Sequence, residues 1–321
     1  MRREPATDSS IESPPAVAVL GATGLVGRRL LERLQEDVPP SPVHPRTDSQ
    51  LLAFSRSAAP AAHSCGDVQW HRLPANPATW RGVIPFWIAA CPLWAVAEQF
   101  PLLEAAGARR LVALSSTSRF TKRGSAAAAE RAIAARLAAA EDAVLDGARA
   151  RGIAATILRP TMIYDGIHDR NVAAIAGVIL RFGFFPVAGA AGGRRQPLHA
   201  DDVAAAGLAA LACDKTCDAY DLSGGETLSY RDMVRRIFDW LDLPPRVATI
   251  PAGIVRAAAA WLGGLPWLGS LATMAARMND DLVFDHAAAT RDFGFQPRPF
   301  ALPTRRHKRD ARVTEELVVS P

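Results

Sequence analysis

The chain has 321 residues, 49% of them apolar and 21% charged, with a mean hydropathy of +0.05, enough to build one large or two modest domains and to exclude disorder throughout. Its 37 basic residues nearly balance 32 acidic ones, for a formal charge of +5. So thin an excess, with no nucleic-acid-binding motif behind it, argues against a nucleic-acid partner.

Residues 1–15 run through Pro, Ser, Asp and Glu with no apolar stretch, which predicts a solvated tail and no secretory signal. Four cysteines in such a chain (Cys65, Cys91, Cys213, Cys217) do not suggest a disulfide framework and point to a reducing, cytoplasmic setting. Cys213 and Cys217 are spaced like half a metal site. No second Cys/His pair stands nearby, so small buried thiols near a helix end are expected, and no metal.

At residues 16–34 the apolar run AVAVL meets GATGLVG and then RRLLERL, whose Leu30, Leu31 and Leu34 share a helical stripe, so the reading is strand, glycine turn, helix. A second strand is expected at 51–55, after a Pro-rich loop at 38–49. Apolar runs at 83–89, 111–114 and 153–158 alternate with helical stretches at 93–106 and 126–151, which predicts a parallel sheet with crossover helices. Beyond Pro160 the pattern loosens. A helix is expected at 172–182, then the loop GFFPVAGAAGGRRQP, a short strand at 220–222, and a helix at 231–241 capped by Ser229.

Residues 257–276 carry no charge and would span a bilayer on paper, but Gly263, Gly264 and Pro266 interrupt them. Two short apolar helices are expected there, either closing a substrate pocket or lying on a membrane surface. The end, 304–321, reads as a mobile charged tail whose basic cluster at 305–312 would suit anionic lipid or a partner. The resulting division is a tail at 1–15, a nucleotide-binding unit at 16–160, a mixed substrate region at 161–303 and a tail at 304–321.

Gly21, Gly24 and Gly27, following a strand and opening a helix, permit a tight turn. They also let backbone approach a pyrophosphate seated on the free N–H groups of the helix start. The every-third-residue spacing is joined by Leu114-Ser115-Ser116-Thr117, Ile157-Leu158-Arg159-Pro160, Tyr164-Asp165-Gly166, Leu198-His199-Ala200-Asp201-Asp202-Val203, YDLSGGETLSY and FGFQPRPF. In this order they resemble the extended and atypical short-chain dehydrogenase/reductase superfamily over roughly residues 17–300. The resemblance implies an α/β fold, a doubly wound parallel Rossmann sheet with a smaller C-terminal substrate region. It also implies a nicotinamide dinucleotide touching Gly21, Thr23, Gly24, Leu25, Val26, Gly27, Arg56 and Pro160.

The tyrosine-dependent members of that superfamily use Tyr and Lys four residues apart, the cation easing proton exchange at the phenol. The three tyrosines here, Tyr164, Tyr220 and Tyr230, are followed at that spacing by His168, Gly224 and Val234, and the expected positions fall near Ile133 and Leu137. Ser116 or Thr117 would match the family's catalytic hydroxyl. Lys122, one of three lysines in the chain, stands as a candidate for the missing charge. Glu130 and Arg136 are expected on an outer helix face. Arg56 occupies the place of an acidic ribose ligand, which favours NADP over NAD, and His199, Asp201 and Asp202 read as a carboxylate-capped helix start.

Two functions follow from the resemblance. One is an oxidoreductase, or an epimerase working by transient oxidation, on a carbonyl or secondary alcohol of a small molecule. The other is a non-catalytic NADP(H)-bound scaffold or redox sensor with a protein partner. It would be membrane-peripheral through 257–276 and the basic tail, and similar to negative-regulator-like members and the accessory subunit of respiratory complex I.

Overall fold

The computed structural model describes residues 16–36, 50–56, 68–214, 216–251, 253–254, 275 and 277–302. The expectations for the N-terminal tail, for most of the apolar 257–276 stretch and for the basic tail lie outside these residues.

In β1 (Val17–Leu20) Val17 and Val19 enter the core on one side of a sheet while Ala18 and Leu20 enter the core on the other. Successive side chains of a strand point to opposite faces, so an unbroken apolar run is what a strand covered on both sides requires. The same holds in β2 (Leu51–Ser55), β4 (Phe86–Ala89), β5 (Arg110–Leu114) and β6 (Ala154–Pro160). With β3 (Val68–Arg72) at one edge and β11 (Ala219–Leu222) at the other, these strands form a seven-stranded sheet in the order β3-β2-β1-β4-β5-β6-β11. Every adjacent pair is parallel. The order reverses between β1 and β4, which places a crevice at the carboxyl ends of those strands.

Helices α1 (Leu25–Gln35) and α6 (Ala200–Ala212) cover one face; α2 (Phe100–Ala105) and α4 (Ala128–Arg149) cover the other. Fully buried Trp87 anchors that second core and satisfies its indole by donating Nε1–H to the Ile84 carbonyl at 2.7 Å. A third core joins Tyr164, Ile179, Phe185, Met233 and Phe238 in the C-terminal part, around α5 (Val172–Phe182) and α7 (Tyr230–Trp240). Three two-stranded pieces finish it, made by β7 (Ile163–Tyr164) with β10 (Leu198–His199), β8 (Phe185–Ala188) with β13 (Val247–Ile250), and β9 (Arg194–Arg195) with β12 (Leu228–Ser229). The loop expected at 183–197 thus contains β8 and β9. A last short helix, α8 (Ala287–Phe293), packs beside β11.

Two expected elements differ. The helix anticipated at 93–106 is two single 3-10 turns, Leu93–Ala95 and Ala97–Gln99, followed by α2. Pro101 can open a helix but cannot continue one, since it has no N–H and its ring clashes with the carbonyl four residues back. The strand anticipated at 83–89 begins only at Phe86, after Pro85, with Val83 71% exposed. The Ser229 cap forms as expected: its hydroxyl accepts from the Asp232 N–H at 3.0 Å.

Candidate functional site

The glycine turn lies at the carboxyl end of β1, at the point where strand order reverses. Its three glycines are required for different reasons. Gly21 has φ +78°, and a Cβ there would meet the Cys91 backbone nitrogen at 2.7 Å. A Cβ on Gly27 would stand 2.2 Å from the Gly21 carbonyl oxygen, so that glycine lets α1 lie against the turn. Gly24 is the N-cap of the eleven-residue α1 and gives it no side-chain cap, which leaves the N–H groups of the first turn, at Leu25, Val26 and Gly27, without one. That is the arrangement an anionic pyrophosphate needs, positive dipole end and open donors together. Thr23 is exposed on the turn, Arg56 is exposed just past the end of β2, and Pro160 is buried at the end of β6. The neighbouring Cys91 thiol is pushed up to about 11 by burial, against the opposing Arg56 charge, so it is held as an unreactive thiol.

The strand-end hydroxyls are already engaged. Thr117 Oγ1 donates to the Pro160 carbonyl at 3.2 Å, and Ser116 Oγ accepts from the Ser118 N–H at 3.1 Å, starting α3 (Ser118–Thr121). Ser115 Oγ donates at 2.5 Å to Glu141, a carboxylate with no exposed surface that also takes Arg159 at 2.6 Å and Arg119. A single buried anion therefore ties the end of β5 to α3, α4 and β6.

Beside these strand ends opens a cavity of about 1120 Å³. Among the described residues four cationic side chains line it, Lys122, Arg170, Arg195 and Arg277, against one carboxylate, Glu130. Arg195 is 5% exposed; its guanidinium donates to the carbonyls of Asp280 at 2.5 Å, of Arg194 at 2.9 Å and of Arg277, and stands 5.5 Å over the Tyr230 ring. Burial lowers its pKa, the mark of a cation short of compensating anions. Burial pushes the Tyr230 phenol up to about 12, although the Arg195 charge opposes it.

Glu130 is not on an outer face. It stands in the first turn of α4 and projects into this cavity, where Oε1 takes Arg277 at 2.8 Å and faces Lys122 Nζ at 3.7 Å. Burial works to raise its carboxyl, but the Ser125 hydroxyl, Arg277 and Lys122 outweigh that and hold it below its ordinary range. Arg136 does face outward, stacked 3.9 Å over the Trp94 ring. On α4, Ile133 is 41% exposed and Leu137 is buried, and neither lines the cavity.

The helix start at His199 also differs in its cap. The His199 ring, at Nδ1, accepts from the Asp201 N–H at 3.2 Å, whereas Asp201 pairs with Arg33 and Arg298, and Asp202 with Arg298. Those arginines draw the carboxylates away from the helix end. Among the described residues no group of three or more His, Cys, Asp or Glu side chains could hold a metal. Cys213 is half-buried and Cys217 exposed, and both sulfurs turn to Asp292.

Sequence reasoning brought Ser116, Thr117 and Lys122 to this cavity, but missed Glu130, Arg170, Arg195 and Arg277. In a chain with 37 basic residues an arginine beside a Gly- or Pro-rich loop carries no mark of its own. Only the approach of Arg277 to Glu130, 147 positions apart, reveals either.

No family model matches the chain. A stretch of 173 residues is 31% identical to the mitochondrial NADH dehydrogenase [ubiquinone] 1 alpha subcomplex subunit 9 of Arabidopsis thaliana, over 50% of this chain and 42% of that protein. The likeness thus spans less than half of that relative. Among solved structures, UDP-glucuronic acid 4-epimerase of Bacillus cereus in complex with NAD superposes with TM-score 0.64 at 11% identity, over 94% of each chain. UDP-glucose 4-epimerase of Thermotoga maritima with UDP-glucose gives 0.60 at 14%, over 88% of this chain and 93% of that one. UDP-N-acetylglucosamine 4-epimerase of Bacillus cereus gives 0.58 at 14%, over 74% and 85%. With a seven-stranded parallel sheet, helices on both faces and a glycine turn at the switch point, the chain has the doubly wound Rossmann fold of these solved epimerases.

Proposed function

We propose that this chain binds a nicotinamide dinucleotide, NADP in preference to NAD, and oxidises or reduces a carbonyl or secondary alcohol on an anionic small molecule without a Tyr/Lys pair. The observation that carries this reading is the presence of two features at the carboxyl end of one sheet: the uncapped start of α1 at Gly24, and the cationic cavity at the ends of β5 and β6. The bacterial epimerase of the same fold in complex with NAD supports the cofactor class. Gly21, Gly24, Gly27 and the first turn of α1 would hold the pyrophosphate, with Arg56 beside the ribose. The nicotinamide, when bound, supplies or takes up a hydride.

The cavity's share is to hold and orient the substrate. Arg195 and Arg277, with Arg170 nearby, would draw an anionic group of phosphate or carboxylate chemistry, because four cations facing one carboxylate leave an excess that a ligand can neutralise. Ser116 keeps its hydroxyl proton for a substrate oxygen, since Oγ is used only as an acceptor within the loop. Thr117 acts through the loop's geometry.

A second reading is a dinucleotide-bound scaffold. The 41%-exposed Ile133 and buried Leu137, standing where the family pair belongs, favour it, as does the likeness to a complex I subunit. Nicotinamide fluorescence on titration with NADPH and NADH, followed by NADPH oxidation across a panel of anionic aldehydes and ketones, separates the two. Tight NADPH binding with turnover supports the enzyme, and binding without any turnover supports the scaffold. Absence of binding of either dinucleotide overturns both.

A further inference from the structure

We propose that Lys122 is the proton donor to the substrate oxygen in this cavity and that Glu130 is the residue positioning it, a pair built from an α3 loop and the first turn of α4 in place of Tyr and Lys on one helix. This rests on the dinucleotide-dependent reading above.

The assignment begins by elimination among the described side chains lining the cavity. Arginine guanidinium does not release its proton at any working pH, which removes Arg170, Arg195 and Arg277 as donors. No His, Cys or Asp lines the cavity. Tyr230 lies under the Arg195 guanidinium with its phenol pushed up to about 12 by burial. The serine and threonine hydroxyls of the wall, that of Ser116 included, can hydrogen-bond a substrate oxygen but are far too weak as acids to give up a proton to it, and that of Thr117 is spent on the Pro160 carbonyl. A lysine ammonium and a carboxylate remain, side by side, with side chains 21% and 19% exposed.

Their roles divide by charge and geometry. Glu130 is held anionic by the Ser125 hydroxyl, Arg277 and Lys122 against the effect of burial, so it is a fixed negative charge rather than an acid. Its Oε1 is hydrogen-bonded by Arg277 at 2.8 Å, while Lys122 Nζ stands at 3.7 Å, near enough for ion pairing and too far for a hydrogen bond. The ammonium is thereby steered while its N–H groups stay free for a ligand. Arg277 fixes the carboxylate from the far end of the chain, so the pair is aimed only when the C-terminal part is docked.

In the reductive direction the carbonyl carbon gains hydride from the reduced dinucleotide, and the C=O π electrons settle on oxygen. Lys122 then gives that oxygen a proton. The resulting neutral amine regains a proton from solvent, and the oxidative direction is the reverse.

Pyridoxal 5′-phosphate, an aldehyde carrying an anionic group, serves as a probe independent of turnover. A neutral lysine amine condenses with the aldehyde, losing water, and borohydride delivers hydride to the imine to fix a secondary amine. The chain has three lysines, Lys122, Lys215 and Lys308, so peptide mass mapping reads each one. Lys122 is expected to be labelled at least about tenfold faster than the other two, the preference being lost in Glu130→Gln and largely kept in Glu130→Asp. Equal labelling of the three lysines, or an unchanged preference in Glu130→Gln, overturns the proposal. For a carbonyl compound that is turned over, Lys122→Arg keeps the cation but not the transferable proton. It should lower kcat at least about a hundredfold with little change in KM, and a retained kcat also overturns the assignment. NADPH binding without selective Lys122 labelling defeats this inference alone. Selective labelling without binding of either dinucleotide defeats the proposed function and leaves the amine site standing.

Discussion

The glycine turn and the cavity sit at the same carboxyl end of one sheet, yet they are built in opposite ways. The turn takes all its parts from residues 20–27: strand end, three glycines and the first turn of α1, closed by the Gly24 N–H on the Gly21 carbonyl at 3.0 Å. The cavity draws Lys122 with Glu130, Arg195 and Arg277 from three separate stretches of chain, and its wall is held by Glu141, which gathers Ser115, Arg119 and Arg159. A site of the first kind is specified by backbone conformation and survives wherever strand and helix form. A site of the second kind exists only in the complete fold, so its energetics are those of long-range ion pairs.

The sharpest way to break this contrast is at Glu141. It is fully buried between two arginines, and Glu141→Ala would leave Arg159 and Arg119 without their shared anion in a low-dielectric setting. Loss of one partner of a buried pair costs about 3–5 kcal/mol. Urea unfolding should show that loss, with NADPH affinity reduced little while the protein stays folded. A cost below about 1 kcal/mol would mean that the cavity wall does not depend on this anion.

The converse substitution is Gly24→Val. It places a branched side chain where the pyrophosphate approaches the start of α1, and dinucleotide affinity should fall by at least about 2 kcal/mol, the scale of leaving a polar group without its partner. Unfolding should change far less than for Glu141→Ala, because a Cβ at Gly24 meets nothing closer than the Gly21 carbonyl oxygen at 3.3 Å. Unchanged NADPH affinity in a variant with native circular dichroism would remove the turn from the cofactor site.

The same difference decides what the sequence shows. The sheet was legible because the central strands carry apolar runs and α1 a 3.6-residue stripe, patterns that a doubly covered sheet imposes locally. β3 was not legible: VQWHR, at the sheet edge, is only partly buried and lacks that run. The helix at 93–106 was misjudged because its composition is apolar and helical while Pro101 resets the chain midway. In the site, Lys122 stood out by being one of three lysines, whereas Glu130 looked like one more charge on an exposed helix. Nothing within ten residues of Glu130 announces Arg277, and side-chain identity alone does not tell a wall from a surface.

Asp201 ties the helix of the glycine turn to the C-terminal part, since Arg33 of α1 pairs with it at 2.6 Å and Arg298 at 2.5 Å. Burial acts to raise its carboxyl, but the two arginines overcome this and hold it at about 2, below the ordinary 3.8. A carboxylate whose value falls on folding adds stability that is complete above its unfolded value and lost as pH falls through the folded one. The Asp201 share should therefore disappear between about pH 4 and pH 2, and amounts to on the order of 1 kcal/mol once solvent screening is allowed for. Asp201→Asn should flatten the pH dependence of the urea midpoint in that window. An unaltered slope would separate α1 electrostatically from the C-terminal part.

The smallest expected effect bears on selectivity within the turn. Arg56 is exposed at the end of β2, beside the strand whose end forms the glycine turn, where a ribose 2′-phosphate would add two negative charges within reach of a guanidinium. Because the side chain is exposed, the pair is screened, and Arg56→Ala should weaken NADPH by about 1 kcal/mol, roughly fivefold, with NADH almost unchanged. Calorimetry of the two dinucleotides with both proteins measures this directly. Raising the salt concentration should narrow the wild-type preference toward that of the variant, since surface charges lose reach as the Debye length shortens. A wild type that prefers NADH, or a preference for NADPH that Arg56→Ala leaves intact, would place the 2′-phosphate contact elsewhere and leave the glycine turn reading only the part common to both dinucleotides.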